Sequence, residues 1–246
     1  MPRFFGHFLP VFWRLIVTGV LFLVLGVAPA LADSRFEPWD NRVFVAVGER
    51  YGEDAAERLR RVHNLILEGQ NKPVLVKLKL VNDLLNKFPW MADQALWNLD
   101  DYWAAPFETI TTNGGDCEDL AIAKYWVLRM MGVPDEKLGL AYVQTDNLRH
   151  MVLLYLDAPD GNSLILDNLH PDVMPFAERR DIIAIYLLQN DGTFYLIEDD
   201  GIHTRRFKAR YHVRNLSKWT RSMEREETFN QLYVQYNNGR PLFPHN

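Results

Sequence analysis

The chain has 246 residues, a net charge of −5 at pH 7 and 48% hydrophobic residues. This size and hydrophobic content allow one domain with a full core and no need for disulfides. The acidic balance, together with the lack of a basic stripe in the sequence, argues against nucleic acid as a partner.

The N-terminus has the pattern of a secretory signal peptide. Arg3 and Arg14 precede an apolar stretch over residues 15–27, and Ala30 and Ala32 form a small-residue cleavage motif. We expect cleavage after Ala32, which gives a signal peptide, residues 1–32, and a single exported domain, residues 33–246. The alternative is an uncleaved inner-membrane anchor, because Phe and Trp residues upstream could lengthen the apolar run toward membrane-spanning length.

Hydrophobic periodicity predicts helices first in the mature chain, then strands, and a final helix near the C-terminus. Helices are expected over residues 54–67, 73–88, 117–131 and 217–236, and strands over residues 138–144, 151–156, 163–167, 182–189 and 193–198. Helices followed by antiparallel strands define an α+β fold. The basic residues within 205–210 predict a solvated loop or an edge strand.

Cys117 is the only cysteine, and it lies in Gly-Gly-Asp-Cys-Glu-Asp, residues 114–119, at the start of a predicted helix. A free cysteine is commonly a small buried hydrophobe. Here two glycines and three carboxylates indicate a polar, accessible turn. The unpaired N–H groups and the dipole at a helix N-terminus favour the thiolate. The sequence therefore favours a reactive thiol over a packing role.

A nucleophilic thiol needs a base and a group that orients the base. His150 opens one predicted strand and Asp167 closes the next, with a turn-forming Pro-Asp-Gly-Asn segment between them. An antiparallel hairpin brings these two strand ends together. Either residue alone is more simply explained as structural, but the order Cys, His, Asp predicts a catalytic triad. His170 is the rival base, because it lies three residues after Asp167.

On these residues the chain resembles the bacterial transglutaminase-like cysteine proteinases of the LapG type. The resemblance covers roughly residues 38–200, and the triad residues show no departure from the family pattern. The matching segments are residues 81–83, 101–106, 114–124, 128–134, 150–153 and 165–169.

The resemblance implies a papain-like core in transglutaminase order, in which the catalytic helix packs on the antiparallel sheet. It assigns Cys117, His150 and Asp167 as the catalytic triad of a periplasmic endopeptidase. Enzymes of this type cut the N-terminal region of a large surface adhesin, which releases biofilm cells. They are inhibited by an inner-membrane cyclic-di-GMP receptor. A transglutaminase with the same triad and a non-catalytic binding module remain as alternatives.

The acidic residues beside the thiol pose an electrostatic problem. Asp116, Glu118 and Asp119 place negative charge next to a group that must itself become an anion, and like charges disfavour ionisation. A calcium ion (Ca2+) would offset this charge, since calcium accepts flexible oxygen coordination. The simpler interpretation is that acidic residues stabilise the first helical turn. The resemblance favours calcium and implies Asp116 and Glu118 as ligands.

An aromatic group, Trp97, Tyr102 and Trp103, precedes the nucleophile loop. We expect it mainly to brace the catalytic helix, with a wall of the substrate cleft as the alternative. The backbone N–H of Cys117 is the expected oxyanion donor, because helix N-terminal amides point toward bound negative charge. The sequence does not identify a second donor.

Overall fold

The computed structural model describes residues 36–145, 148–156, 163–199, 205–212 and 217–243. The expected signal peptide, residues 1–32, lies outside the described residues. Within the described ranges, no helix combines the length and the apolar character needed to cross a bilayer.

The helices and strands follow the predicted order. The helices are α1 (Asn41–Tyr51), α2 (Glu53–Gly69), α3 (Val74–Leu85), α4 (Asp93–Leu96), α5 (Pro106–Thr112), α6 (Cys117–Met130) and α7 (Ser217–Tyr233). The strands are β1 (Leu138–Gln144), β2 (Arg149–Tyr155), β3 (Leu164–Leu166), β4 (Met174–Pro175), β5 (Ile183–Leu188), β6 (Thr193–Asp199) and β7 (Arg205–His212). Short 3₁₀ helices occupy Asp135–Lys137, Phe176–Glu178 and Val234–Asn237.

The strands form one sheet in the order β4-β3-β2-β1-β5-β6-β7, and each neighbouring pair is antiparallel. The α+β fold expected from the sequence is confirmed. The basic segment forms β7, which pairs with β6 along one side. Lysine and arginine are common on such strands because charge discourages pairing with other chains.

Helix α6 forms the centre of the helical layer and packs against β1 and β2. Every residue from Asp119 to Leu128 is buried, which explains its almost continuous apolar sequence. Strand β1 alternates between two cores: Leu138 and Leu140 face the helices, whereas Ala141 and Val143 belong to a second apolar cluster. This packing holds the N-terminus of α6 against the middle of the sheet.

The helices differ from the predicted ones in number and in their bounds. The sequence analysis missed α1, which stops at Gly52, where φ is 90° and the chain turns directly into α2. It also missed α4 and α5, whose four and seven residues are too few for a clear apolar period. Helix α3 was expected to begin at Pro73 and continue to residue 88, but Pro73 is its N-cap and the helix ends at Leu85.

Candidate active site

Two glycines shape the loop that carries Cys117. The carbonyl of Gly115 accepts a hydrogen bond from the Met91 N–H at 2.9 Å. A Cβ atom on Gly115 would lie 2.5 Å from Asp119 Cβ, and one on Gly114 would lie 2.8 Å from the Pro89 carbonyl oxygen. Only glycine allows these approaches, so the Gly-Gly pair is required where the loop turns into α6.

The thiol of Cys117 lies at the first residue of α6 and is partly buried. Its Sγ donates to Glu118 Oε2 at 3.0 Å. Burial raises the pKa of the thiol, and the charge and hydrogen bond of Glu118 raise it further, whereas the backbone N–H of Met151 lowers it. Burial and the Glu118 carboxylate therefore raise the thiol pKa by more than the Met151 N–H lowers it.

His150 and Asp167 meet as the hairpin predicts. His150 Nε2 lies 2.7 Å from Asp167 Oδ1, and both side chains are buried. An aspartate oxygen accepts, so Nε2 carries the proton in this pair, and Nδ1 is the ring nitrogen that can exchange a proton with a thiol. Asp167 Oδ1 also accepts the Leu169 N–H at 2.8 Å.

Strand β2 connects the histidine with the thiol. The backbone N–H of Met151 forms a hydrogen bond with Cys117 Sγ, and Met151 directly follows His150 on the strand. His170 makes a different contact: its Nδ1 accepts the Asp172 N–H at 3.2 Å. The geometry therefore pairs Asp167 with His150 rather than with His170.

Arg179 is a site residue that the sequence analysis missed. Its Nη1 donates to Asp167 Oδ2 at 2.7 Å, and Arg179 is itself buried. Burial alone would raise the pKa of Asp167, but hydrogen bonds from His150, the Leu169 N–H and Arg179 hold it well below its usual range. Arg179 follows a short 3₁₀ helix in an irregular segment, where no motif marks it.

The acidic residues Asp116 and Asp119 at the start of α6 differ in their surroundings. Asp119 is fully buried, with Oδ1 accepting the Ala104 N–H at 2.7 Å and Oδ2 accepting the Asp116 N–H at 3.4 Å. Burial raises its pKa to about 8. Burial also raises the pKa of Asp116, and the charges of Glu118 and Asp119 raise it further. Asp119 therefore holds the loop together, whereas Asp116 lies close to negative charge.

Asp93 and Asp101 complete an acidic cluster that the sequence analysis did not assemble. The carboxylates of Asp93, Asp101 and Glu118 lie within 4.8 Å of one another, and so do those of Asp93, Asp116 and Asp119. Among the described residues, Asp93 Oδ1 and Asp116 Oδ1 are buried without a hydrogen-bond partner. Unpartnered carboxylate oxygens at this spacing fit a hard cation such as calcium.

The aromatic residues before the nucleophile loop brace the structure. Trp97 packs on Tyr102 with ring centroids 4.7 Å apart, and the guanidinium of Arg225 lies over the Tyr102 ring at 4.3 Å. The Tyr102 hydroxyl donates to Glu108 at 3.0 Å, and Trp103 packs on the main core. These contacts fit the bracing role expected from the sequence.

A cysteine at a helix N-terminus, packed against a sheet that carries a hydrogen-bonded His–Asp pair, is the arrangement of papain-like cysteine proteinases. The sequence model of the bacterial transglutaminase-like cysteine proteinases matches residues 44–181. This match spans Cys117, His150, Asp167 and Arg179 and more than half of the chain. The chain belongs to this family of cysteine proteinases.

Solved structures of Legionella pneumophila LapG resemble the chain in both sequence and fold. One is 32% identical with a TM-score of 0.62, covering 75% of this chain and 96% of LapG. The EGTA-treated form is 32% identical with a TM-score of 0.64 and the same coverage. The calcium-bound form is 31% identical with a TM-score of 0.60, covering 74% of this chain and 98% of LapG. A comparison with curated protein sequences found no match.

Proposed function

We propose that the protein is a calcium-dependent cysteine endopeptidase of the periplasm, with Cys117, His150 and Asp167 as its catalytic triad. The observation that carries the triad is the 2.7 Å hydrogen bond between the buried side chains of His150 and Asp167, together with the position of His150 on β2 directly before Met151, whose backbone N–H bonds to the Cys117 thiol. Family membership supports proteolysis as the reaction.

The reaction follows from these positions. His150 Nδ1 takes the thiol proton, and the Cys117 thiolate attacks the carbonyl carbon of the scissile peptide bond. The backbone N–H of Cys117 stabilises the resulting oxyanion, and the imidazolium gives its proton to the leaving amine. Water, deprotonated by His150, then attacks the thioester and releases the acid and the free thiol. Asp167 keeps the proton of the neutral ring on Nε2 throughout.

The proposed calcium ligands are Asp116 and Glu118, with Asp93 and Asp101 completing the set. Bound calcium would supply positive charge beside the thiol, which offsets the repulsion between a thiolate and its acidic neighbours. The two unpartnered carboxylate oxygens and the acidic cluster support this site. Asp119 contributes less, because both of its oxygens already accept backbone N–H groups.

Besides offsetting the negative charge, a bound calcium ion would affect the thiol through the hydrogen bond from Cys117 to Glu118. While Sγ donates its proton to Glu118 Oε2, that proton is not available to His150. If Glu118 bound a calcium ion, its hydrogen bond with the thiol would weaken. The thiol would then be free to donate its proton to His150.

The proposed substrate is the N-terminal region of a large surface adhesin, and its cleavage would release biofilm cells. The proposed inhibitor is an inner-membrane cyclic-di-GMP receptor that binds the protease on its periplasmic side. Both proposals, and the periplasmic location, depend on the family resemblance and on the expected signal peptide. A transglutaminase would use the same triad with an amine in place of water.

Incubation with candidate adhesin fragments tests the reaction. The mature chain should cut a fragment in two, Cys117→Ala should leave it intact, and a fluorescent primary amine should not be incorporated. Incorporation of the amine without cleavage would indicate a transglutaminase. If the wild-type thiol is inert to all fragments and to amine transfer, the protein is a binding module and the proposal is wrong.

Calcium dependence is tested by alkylation of Cys117 with iodoacetamide. EGTA should slow the reaction, calcium should restore it, and magnesium should restore it poorly because magnesium requires a tighter octahedron. Asp101→Asn should raise the calcium concentration required. Asp100→Asn is the matched control, since Asp100 is exposed and belongs to none of the acidic groups. Calorimetry without calcium binding, together with no effect of EGTA, would contradict the metal site.

A further inference from the structure

We propose that Arg179 is the positioning residue of the triad: it fixes the carboxylate of Asp167 so that Oδ1 faces His150 Nε2. This inference rests on the proposed triad and adds a residue to it. Arg179 lies too deep to contact substrate directly, with 6% of its surface exposed, so its effect would pass through Asp167.

The guanidinium of Arg179 is held on two sides. Its Nε and Nη2 donate to the two carboxylate oxygens of Asp181 at 2.8 and 2.7 Å, and its Nη1 donates to Asp167 Oδ2 at 2.7 Å. The Asp181 side chain is 60% exposed, so the paired end reaches solvent while the other end points inward. A planar fork fixed by two parallel hydrogen bonds has a defined direction for its third donor.

The two oxygens of Asp167 have different partners. Oδ1 accepts from His150 Nε2 and from the Leu169 N–H, whereas Oδ2 accepts from Arg179. Asp167 is 1% exposed, so water cannot readily replace a lost partner. Without Arg179, Oδ2 would be a buried, unpaired anionic oxygen, and the carboxylate would gain by rotating or by taking up a proton. Either change weakens the hydrogen bond to His150.

The other charged group near Asp167 cannot take over this role. Lys124 on α6 is buried and interacts electrostatically with Asp167. Among the described residues, it makes no hydrogen bond to the Asp167 carboxylate. His150 from β2 is the group being oriented. Arg179 is thus the charged side chain that both neutralises Asp167 and fixes its direction.

A purely structural ion pair would also be buried, so the test must separate positioning from folding. Arg179→Met removes the charge and the fork, and Arg179→Lys keeps the charge and loses the fork. Asp181→Asn is the matched control for the outer partner, because an amide oxygen still accepts from the guanidinium. Near-ultraviolet circular dichroism of each full mature chain establishes that it is folded.

Two readouts respond to positioning. The first is the low-field NMR resonance of the His150 Nε2–H, which reports its hydrogen bond to Asp167 without any substrate. It should shift upfield or broaden in Arg179→Met and remain in Asp181→Asn. The second is peptide cleavage against pH: kcat of Arg179→Met should fall by about 10- to 100-fold at an unchanged KM, as for a misplaced catalytic group. The acidic limb should move to higher pH, because Asp167 then protonates more easily.

Arg179→Lys should give an intermediate kcat. A folded Arg179→Met with a wild-type Nε2–H resonance and wild-type kcat overturns the proposal. If Arg179→Met does not fold, Arg179→Lys decides: a wild-type resonance and pH profile in that variant also overturns it. If the wild type cuts no peptide, the proposed function fails while the NMR comparison still tests the positioning role.

Discussion

A buried glutamate on α7 provides a quantitative test of the packing. Glu226 of α7 is fully buried, and its Oε2 accepts the N–H of Phe107 at the N-terminus of α5 at 3.1 Å. Its Oε1 has no hydrogen-bond partner among the described residues. Burial raises the pKa of Glu226 from 4.5 to about 8. Glu226→Gln keeps an acceptor for Phe107 and removes the titrating group.

The raised pKa of Glu226 determines how the stability of the fold changes with pH. The folded state holds the proton more tightly than the unfolded state, so the contribution of Glu226 to stability is complete below pH 4.5 and is lost as the pH rises toward 8. At pH 7 the loss is up to about 3 kcal/mol, from about 1.4 kcal/mol for each pH unit above 4.5. Glu226→Gln should therefore be nearly neutral at pH 4.5 and stabilising at pH 7.

Thermal unfolding at pH 4.5, 6 and 7.5 measures this difference. A gain of 3 kcal/mol corresponds to a rise in Tm of about 6 to 12 °C for a domain of this size. Glu224→Gln is the matched control on the exposed side of α7 and should shift Tm little at any pH. Glu226→Ala should destabilise at pH 4.5, because the Phe107 N–H loses its acceptor. If Glu226→Gln is no more stabilising at pH 7.5 than at pH 4.5, the reasoning is refuted.

Three further changes have defined outcomes. Gly115→Ala should displace Asp119 and lower stability by about 1–3 kcal/mol, measured by urea unfolding; wild-type stability would contradict the close approach. His170→Ala should keep full cleavage in the fragment assay, because its ring contacts Asp172 rather than the Asp167 carboxylate; lost cleavage would reinstate it as the base. Burial lowers the pKa of Lys124 to about 7, so stability is lost as the pH falls from 10.5 toward 7, and Lys124→Met should raise Tm more at pH 6 than at pH 10. An equal rise at both values would contradict this.

Much of the fold could be predicted because local patterns and tertiary packing agree in the central elements. The apolar pattern of α6 and the hairpin between His150 and Asp167 depend on residues that are close in the sequence, and both are present in the structure. Helix α5 could not be predicted in this way. Its seven residues depend on Glu226, which lies far away in the chain.

The same division applies to the candidate site. The sequence by itself determined the Cys117 loop as the candidate site, since a cysteine between glycines and acidic residues at the start of a helix has a local chemical meaning. It also determined the pairing of His150 with Asp167, because a hairpin joins strand ends whatever surrounds them. Only the tertiary structure placed Arg179 on Asp167 and brought Asp93 and Asp101 to Glu118. These contacts join segments with no shared local pattern, and burial and electrostatics select them only after the chain has packed.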